Sequence, residues 1–372
     1  MTDPVLPAYG GGSLSDVLSG IGSHLALPGC REDTLGLPAG ERWVVLLVDG
    51  LGWQQTRAAM ARTPFFAGAL GHGRSITAGV PSTTATSLTS LGTGLTPGQH
   101  GIAGYTFRNP HTKRIFSPLT WDPTTDPLTV QPMPTIFERA RHEGVAVTSV
   151  LPARFDGSGL TAVALRGGVF AGVVDEHDDA ARAEQVLTAA AKGPRSLVYV
   201  YERLLDHVGH GRGTASNQWL DELVRVDAFA ETLRDQLPDD VRLVVTGDHG
   251  MVDVPADHRI VIEDEPELLA GVDLIGGEAR LRQLYTATPD AVAARWSDRL
   301  GSLAWVRTRE EAHAEGWFGK LAKRVADQFG DVLVAMRDDW AVLTREVPGE
   351  FNLVGMHGSL TAAEMEIPLV CE

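Results

Sequence analysis

The chain has little cysteine and few aromatic residues. Its 372 residues include two cysteines, Cys30 and Cys371, which lie near opposite ends of the sequence. Two cysteines do not make a disulfide framework, and these two lack the close spacing of a cysteine-based zinc site, so neither is supported. Aromatic residues make up 6% of the chain and hydrophobic residues 43%. The core must therefore consist mainly of aliphatic and alanine side chains, as is usual in parallel sheets covered by helices.

The sequence also lacks an excess of positive charge and any long apolar run. A formal net charge of -16 argues against a nucleic-acid-binding surface, because such a surface needs clustered Lys and Arg. No segment approaches the ~20 apolar residues of a membrane span, and the N-terminus has no basic region followed by an apolar run. We expect a cytoplasmic protein with a small-molecule substrate and no membrane partner, and its oligomeric state stays open.

Three apolar segments rich in β-branched residues each run into acidic and imidazole side chains. They are residues 43 to 53 with Asp49, residues 196 to 211 with Asp206 and His210, and residues 241 to 251 with Asp248 and His249. Each segment is typical of a buried strand that ends in a loop. Open α/β sheets bind ligands at the carboxyl ends of their strands, so these side chains are predicted to meet at one edge.

The predicted elements alternate between strands and helices. Helices are predicted at about 134 to 143, 178 to 192 and 216 to 236, which favours an α/β fold with a doubly wound, mostly parallel sheet and helices on both faces. Residues 258 to 345 instead show short strands around helical stretches, which indicates an inserted α+β lobe. The predicted catalytic core is then 1 to 257 together with 346 to 372.

The Asp and His side chains at these strand ends are of the types that bind divalent metal ions. Carboxylate and imidazole suit Zn²⁺, Mn²⁺ or Mg²⁺, and imidazole favours zinc. Asp206 and His210 lie four positions apart, and Gly209 is expected to let a loop bend both toward one ion. Asp248 and His249 are flanked by glycines. Each motif alone is more often a simple turn, but together they indicate a metal site.

A hydroxyl-rich stretch from residue 81 to 107 is the second feature that indicates phosphoryl chemistry. It is predicted to enter a short helix, whose N-terminal N–H groups and dipole suit a phosphoryl group or a nucleophilic oxygen. An ordinary N-cap rich in Ser and Thr is the simpler interpretation of such a stretch taken alone. The candidate hydroxyls are Ser82, Thr83, Thr84, Thr86 and Ser87.

These motifs resemble the nucleotide pyrophosphatase/phosphodiesterase family of the alkaline phosphatase superfamily. The resemblance covers about Val44 to Met251 and again Gly355 to Leu369. The matching motifs, in family order, are Val48-Asp49-Gly50, Thr84 ahead of the stretch Thr93 to Ile102, Asp206 to His210, Gly247 to Met251, and Gly355 to Gly358.

The resemblance implies two divalent metal ions, most readily zinc, with manganese as the alternative. It implies one ion bound by Asp206, His210 and His357. The second ion would be bound by Asp49, Asp248, His249 and the Thr84 oxygen. Thr84 is implied to be the nucleophile that forms a phospho-threonine intermediate.

One position departs from the family pattern. Where the family has an Asn that donates to a phosphoryl oxygen, this sequence has Tyr105. Its hydroxyl could bind substrate instead, or the ring could simply pack. This difference affects the expected class of substrate, whereas the metal ligands all match the family pattern.

The function expected from the resemblance is hydrolysis of a phosphodiester or pyrophosphate bond, with a phosphate ester or nucleotide as substrate. Two alternatives stay open. The same metal site would serve a phosphomonoesterase or a phosphonate hydrolase, and a member without catalysis would bind phosphate or a nucleotide only. The intact ligand set disfavours the last of these.

Overall fold

The computed structural model describes residues 3 to 372, so the first two residues of the predicted core lie outside it. In chain order the strands are β1 (Arg42–Val48), β2 (Arg74–Thr77), β3 (Phe107–Arg108), β4 (Ile115–Phe116), β5 (Ala146–Pro152), β6 (Val169–Val173), β7 (Ser196–Glu202), β8 (Val241–Gly247), β9 (Val252–Asp253), β10 (Arg259–Val261), β11 (Leu274–Glu278), β12 (Leu281–Tyr285), β13 (Ala304–Thr308), β14 (Val332–Met336), β15 (Ala341–Leu343), β16 (Gly355–Met356) and β17 (Glu366–Cys371).

The helices connect these strands and cover the sheets. They are α1 (Leu14–His24), α2 (Trp53–Ala58), α3 (Pro64–Ala69), α4 (Thr84–Thr93), α5 (Pro97–His100), α6 (Pro127–Val130), α7 (Ile136–His142), α8 (Gly159–Ala164), α9 (Asp179–Ala190), α10 (Leu204–Arg212), α11 (Asn217–Gln236), α12 (Pro266–Leu269), α13 (Pro289–Leu300), α14 (Arg309–Ala314) and α15 (Ala362–Met365).

A seven-stranded sheet forms the centre, in the order β2-β17-β8-β1-β7-β5-β6. The pairs from β8 through β6 are parallel, and β17 runs antiparallel between β2 and β8. Strands β1 and β7 are apolar along nearly their whole length, which suits strands that are covered on both faces.

Helices lie on both faces of this sheet. Trp43 and Val45 of β1 pack in one buried cluster with residues of α1, α4 and α7. Val44 and Leu46 point the other way, into a cluster with α3, α9 and α11. This alternation follows from the two-residue period of a strand. The predicted α/β fold with a mostly parallel, doubly covered sheet is confirmed.

The strand register places one edge of the sheet at the candidate site. Val48, the last residue of β1, pairs with Glu202 at the end of β7 and with Gly247 at the end of β8. The three strands therefore end level with one another. The residues that follow each of these strands therefore lie at the same carboxyl edge of the sheet.

A smaller antiparallel sheet, in the order β11-β12-β14-β13, lies in the later part of the chain. Helix α13 packs on it around Trp296 and Val292. On its other side Leu281 and Leu333 share a buried cluster with Ala85 of α4. The division of the chain into a core and an inserted lobe stays a prediction.

Two local expectations differ from the structure. Asp206 and His210 were expected in a loop, and that expectation is wrong, because both lie on α10. Helix α1 was not predicted, although Leu14 and Val17 are completely buried. Within residues 3 to 372, no helix combines the length and apolarity needed to cross a membrane.

Candidate active site

Asp49 and Asp248 follow directly after β1 and β8, and their carboxylates lie side by side. The Gly50 amide donates to Asp248 Oδ1 at 3.0 Å. The Asp49 amide donates to the Glu202 carbonyl at 2.7 Å, which extends the β1–β7 ladder by one residue. Both carboxylates are almost completely buried. Strand pairing thus holds the two acids at the sheet edge.

Helix α10 brings in the next two predicted ligands. Asp206 and His210 are four residues apart and so share one face of the helix. His210 Nε2 lies 3.4 Å from Asp206 Oδ2. Gly209 packs closely on Met251, since an added Cβ there would lie 2.5 Å from the Met251 sulfur. This contact seats the helix against the segment that carries Asp248.

Three histidines share one hydrogen-bonding arrangement. The Nδ1 atoms of His210, His249 and His357 lie 2.8, 2.9 and 2.9 Å from the backbone carbonyl oxygens of Gly355, Gly250 and Ser82, respectively. A carbonyl only accepts, so each Nδ1 carries the proton and donates. Each Nε2 then keeps its lone pair, which is the tautomer of a metal ligand.

These imidazole nitrogens face the carboxylates. His249 Nε2 lies 3.3 Å from Asp248 Oδ2 and 3.4 Å from Asp49 Oδ1. His357 Nε2 lies 3.9 Å from Asp206 Oδ1, and its ring stacks on that of His249 at 3.6 Å. The six side chains expected from the sequence therefore occupy one site.

Thr84 reaches the same point from the N-terminus of α4. Its Oγ1 lies 3.3 Å from Asp49 Oδ1 and 3.3 Å from His249 Nε2. Thr83 is the N-cap residue. The first amide of α4 to make a helical hydrogen bond is that of Ser87, which donates to the Thr83 carbonyl. The amides ahead of it are therefore free to bind an anion.

The competing hydroxyls are engaged elsewhere. Ser82 donates to the Ser359 carbonyl at 2.7 Å, Thr86 to the Ile102 carbonyl at 3.1 Å, and Ser87 to the Asp248 carbonyl at 2.8 Å. All three are completely buried. Thr84 is the one of this group whose hydroxyl contacts Asp49.

The buried carboxylates of the site are not balanced by a positively charged side chain, and this shifts the pKa values of the site. Burial raises the pKa of Asp49 well above its usual range, and the Asp248 and Asp206 charges add to the rise. Burial likewise raises the pKa of Asp248. Burial lowers the pKa of His357 well below its usual value, and His249 and His210 add to the effect. His357 thus stays neutral and does not compensate the acids.

Divalent cations fit this arrangement. Asp206 Oδ1 and Asp248 Oδ2 are buried without a hydrogen-bond partner, which is costly unless a cation meets them. Ligand atoms of Asp206, His210 and His357 lie within 4.8 Å of one another, and so do those of Asp49, Asp206 and His249. Asp206 belongs to both groups, whereas the family resemblance implied Asp248 as a ligand of the second ion.

The sequence profile of the type I phosphodiesterase / nucleotide pyrophosphatase family matches residues 43 to 360. The chain belongs to this family. It is accordingly a member of a family of phosphate-ester hydrolases, as its motifs indicated. No curated protein sequence matches the chain.

Solved structures of similar fold include a phosphodiesterase and a phosphonate hydrolase. Murine ectonucleotide pyrophosphatase/phosphodiesterase 5 is 20% identical with a TM-score of 0.69, over 88% of this chain and 87% of that one. An inactive variant of the murine protein is in complex with AMP. Phosphonoacetate hydrolase from Sinorhizobium meliloti 1021, in complex with phosphonoacetate, is 20% identical with a TM-score of 0.69, over 92% of both chains.

Beside Thr84 this phosphodiesterase-family chain has a cavity of about 470 Å³. Tyr105 lines it together with Glu278 and Glu350. Burial raises the pKa of Tyr105, and the two glutamates add to the rise, so the phenol stays protonated and is able to donate. Burial also raises the pKa of Glu278 to about 8.

The sequence did not indicate the role of three residues at or near the ligands. Tyr201 donates its hydroxyl proton to Asp49 Oδ2, and its place near the end of β7 was the available signal. Glu278 and Glu350 come from the later part of the chain. Their approach to Thr84 depends on how that part packs on the core, and no motif marks it.

Proposed function

We propose that this protein is a metal-dependent phosphodiesterase that cleaves phosphodiester or pyrophosphate bonds with Thr84 as nucleophile. The observation that carries the proposal is the position of Thr84. Its hydroxyl lies at a helix N-terminus and within 3.3 Å of both Asp49 and His249. A single oxygen thus adjoins both the acidic cluster and the free amides that suit a phosphoryl group.

The predicted ligands would hold two divalent cations. Their carboxylate and imidazole donors suit Zn²⁺, with Mn²⁺ as the alternative. Such ions lower the pKa of an alcohol and neutralise charge on phosphoryl oxygens. The ligands of this proposal are Asp49, Asp206, His210, Asp248, His249, His357 and the Thr84 oxygen.

The chain's own groups orient the reaction. Asp49 Oδ1 accepts the Thr84 hydrogen bond and so fixes the rotamer of the hydroxyl. The Thr84 hydroxyl gives its proton to solvent water and its oxygen bonds to phosphorus. The bond from phosphorus to the ester oxygen breaks on the opposite side, and that oxygen takes up a proton from water. The amides of Thr84, Ala85 and Thr86, which precede the first helical hydrogen bond, stabilise the charge on the nonbridging oxygens. Water then cleaves the phospho-Thr84 bond.

The substrate is proposed to be a small phosphate ester. The murine structure with AMP is similar in fold, and the cavity of about 470 Å³ falls in the size range of small-molecule sites. The hydroxyl of Tyr105, in the same cavity, is proposed to donate to substrate in place of the family's Asn.

Replacement of the nucleophile tests the proposal. We expect Thr84→Ala to lower kcat for a nitrophenyl thymidine diester by about 10³-fold or more, because no other hydroxyl of the 82 to 87 stretch contacts Asp49. Metal content, measured by elemental analysis, should stay close to that of the wild type. Ser87→Ala is the matched control, since the Ser87 hydroxyl donates to a backbone carbonyl, and it should retain most activity. Wild-type turnover in Thr84→Ala would refute the proposal.

A second measurement separates phosphodiesters from phosphomonoesters. The metal-loaded enzyme should hydrolyse the nitrophenyl thymidine diester faster than nitrophenyl phosphate at equal concentration. A strong preference for the monoester would instead establish a phosphomonoesterase on the same site.

A further inference from the structure

Glu202, the last residue of β7, lies between two groups of predicted metal ligands. Its backbone carbonyl accepts from the Asp49 amide at 2.7 Å. Its side chain is almost completely buried, and Oε1 accepts from the Leu204 amide at 2.8 Å. Leu204 is the first residue of α10, the helix that carries Asp206 and His210. One residue therefore contacts both the segment after β1 and the helix after β7.

Helix α10 begins without the usual type of N-cap. The residue at that position is Arg203, whose side chain makes no cap hydrogen bond. The first amides of a helix need an acceptor from elsewhere, and a negative charge near them is favourable. The Glu202 carboxylate supplies both for the Leu204 amide. It therefore helps to fix the point at which α10 begins.

Two arginines from separate helices hold this carboxylate in place. Arg182 of α9 and Arg225 of α11 donate to Glu202 Oε2 at 2.6 and 2.7 Å. Arg225 also donates to both oxygens of Asp179, at 2.6 and 2.8 Å. Burial opposes ionisation of Glu202, but the charges of the two arginines lower its pKa. The carboxylate is therefore charged at neutral pH, and both of its oxygens are engaged.

We propose that Glu202 is a positioning residue for the metal ligands of α10, and that Arg182 and Arg225 act through it. The inference rests on the proposed function, because it concerns how the same site keeps its geometry. Ligands have to be held within about 0.5 Å of their productive positions by the groups behind them. Asp206 lies in the first turn of α10, so a shift of the helix start moves this ligand directly.

The test replaces Glu202 with Gln and measures metal binding. Glu202→Gln keeps the length of the side chain but puts an NH2 group in place of one oxygen. Either the Leu204 amide or the pair of arginines then loses its acceptor. We expect the full-length protein to bind zinc about tenfold more weakly in at least one of its two sites, measured by competitive chelator titration. The visible absorption of bound cobalt, which depends on ligand geometry, should change as well.

Asp227→Asn is the matched control. Asp227 is a buried acid on α11 whose carboxylate accepts from the Phe65 and Phe66 amides, at 3.2 and 2.8 Å, at the start of α3. It is thus a second acid that holds the beginning of a helix, but α3 carries none of the predicted ligands. Asp227→Asn should lower stability in urea titrations and leave zinc affinity and the cobalt spectrum unchanged.

Arg225→Lys provides a second variant in case Glu202→Gln does not fold, since breaking a buried ion pair is strongly destabilising. The Arg225 side chain is 19% exposed and lysine retains its charge, so this variant should fold. A lysine cannot donate to Glu202 and Asp179 in the way that the planar guanidinium does. We expect zinc to bind about threefold more weakly.

The outcomes separate this inference from the proposed function. Wild-type zinc affinity in Glu202→Gln, or in Arg225→Lys where the first variant is unfolded, would overturn the positioning role. A loss in Asp227→Asn as large as that in Glu202→Gln would overturn it too, because any buried acid would then have the same effect. In both cases the wild type would still bind zinc and hydrolyse the diester. A wild type that does neither would overturn the proposed function and this inference with it.

Discussion

At the scale of single residues, Asp49 is the meeting point of the site. It accepts hydrogen bonds from Thr84 and from Tyr201, and its neighbours include Asp248 and His249. Burial raises the pKa of Tyr201 well above its usual range, and the Asp49 charge adds to the rise. The phenol therefore remains a donor at every working pH and orients the carboxylate.

Removal of the Tyr201 hydroxyl should weaken metal binding. Tyr201→Phe retains the ring, which contacts Phe155, but leaves Asp49 Oδ2 without this donor. Partners of metal ligands typically contribute 10- to 100-fold to metal affinity or activity, and we expect a loss of about tenfold in zinc affinity by competitive chelator titration.

Tyr199→Phe is the matched control for this variant. The Tyr199 hydroxyl is buried on the same strand and has no hydrogen-bond partner, so its loss should be neutral or slightly stabilising. Equal zinc affinity in Tyr201→Phe and wild type would show that the hydrogen bond to Asp49 does not orient a ligand.

Two of the residues predicted from the sequence share one property. Asp49 and Asp248 directly follow apolar strands, and parallel strands that end level bring such residues together without any knowledge of the rest of the fold. Glu278 and Glu350 lacked such a signal. Their position depends on contacts between distant parts of the chain, which local patterns do not record.

At the scale of elements, α10 shows where sequence patterns mislead. Two glycines, Gly209 and Gly211, lower its helix propensity, which favoured a loop. Tertiary packing compensates, because Gly209 fits against Met251 with no room for a side chain. A glycine needed for close packing is indistinguishable in sequence from one needed for a turn.

The contact between α4 and α8 should be sensitive to one methyl group. A Cβ at Gly92 would lie 1.8 Å from the Ala164 carbonyl oxygen. Gly92→Ala therefore has to push the two helices apart, at a cost of about 1–3 kcal/mol in the free energy of unfolding. Because Thr84 begins α4, we also expect a lower kcat.

Gly68→Ala is the matched control, measured in the same urea titrations. Gly68 lies in α3, and a Cβ added there would have no atom within 4 Å. Alanine at this position should stabilise the protein by up to about 1 kcal/mol. If Gly92→Ala were as stable as Gly68→Ala, the close approach of α4 and α8 would not constrain the fold.

At the scale of the whole molecule, the metal site opposes folding when no metal is bound. The raised pKa of Asp49 means that the folded state binds its proton more tightly than the unfolded state does. The stability that protonation of Asp49 contributes to the folded state is fully present below the usual carboxyl pKa of about 4. It is lost as pH rises through the folded-state pKa. Above about pH 4 the metal-free protein therefore becomes less stable as pH rises toward the folded-state pKa.

Replacing the Asp49 carboxyl with a neutral amide should stabilise the metal-free protein, because the amide does not carry this pH-dependent penalty. We expect Asp49→Asn to raise the unfolding temperature at pH 7 in the presence of a chelator by about 2 °C. The gain should shrink as pH falls toward about 4, where Asp49 of the wild type is protonated. Differential scanning fluorimetry across this pH range measures both effects.

Added zinc should reverse the order of the two unfolding temperatures, so that the wild type unfolds at the higher temperature. Ligand binding to the folded state stabilises it by mass action, so the wild type should gain more than Asp49→Asn, which has lost a charged ligand. An identical zinc-induced shift in both proteins would show that Asp49 does not bind the ion.

The placement of β17 has a consequence for biosynthesis. The strand lies inside the central sheet, between β2 and β8, although it is the last strand along the chain. While residues 366 to 371 remain in the ribosomal tunnel, a nascent polypeptide has β8 exposed as a sheet edge. Strand β2 likewise has no partner in the central sheet until then, so the sheet is completed only when this segment has been translated and has paired with both neighbours.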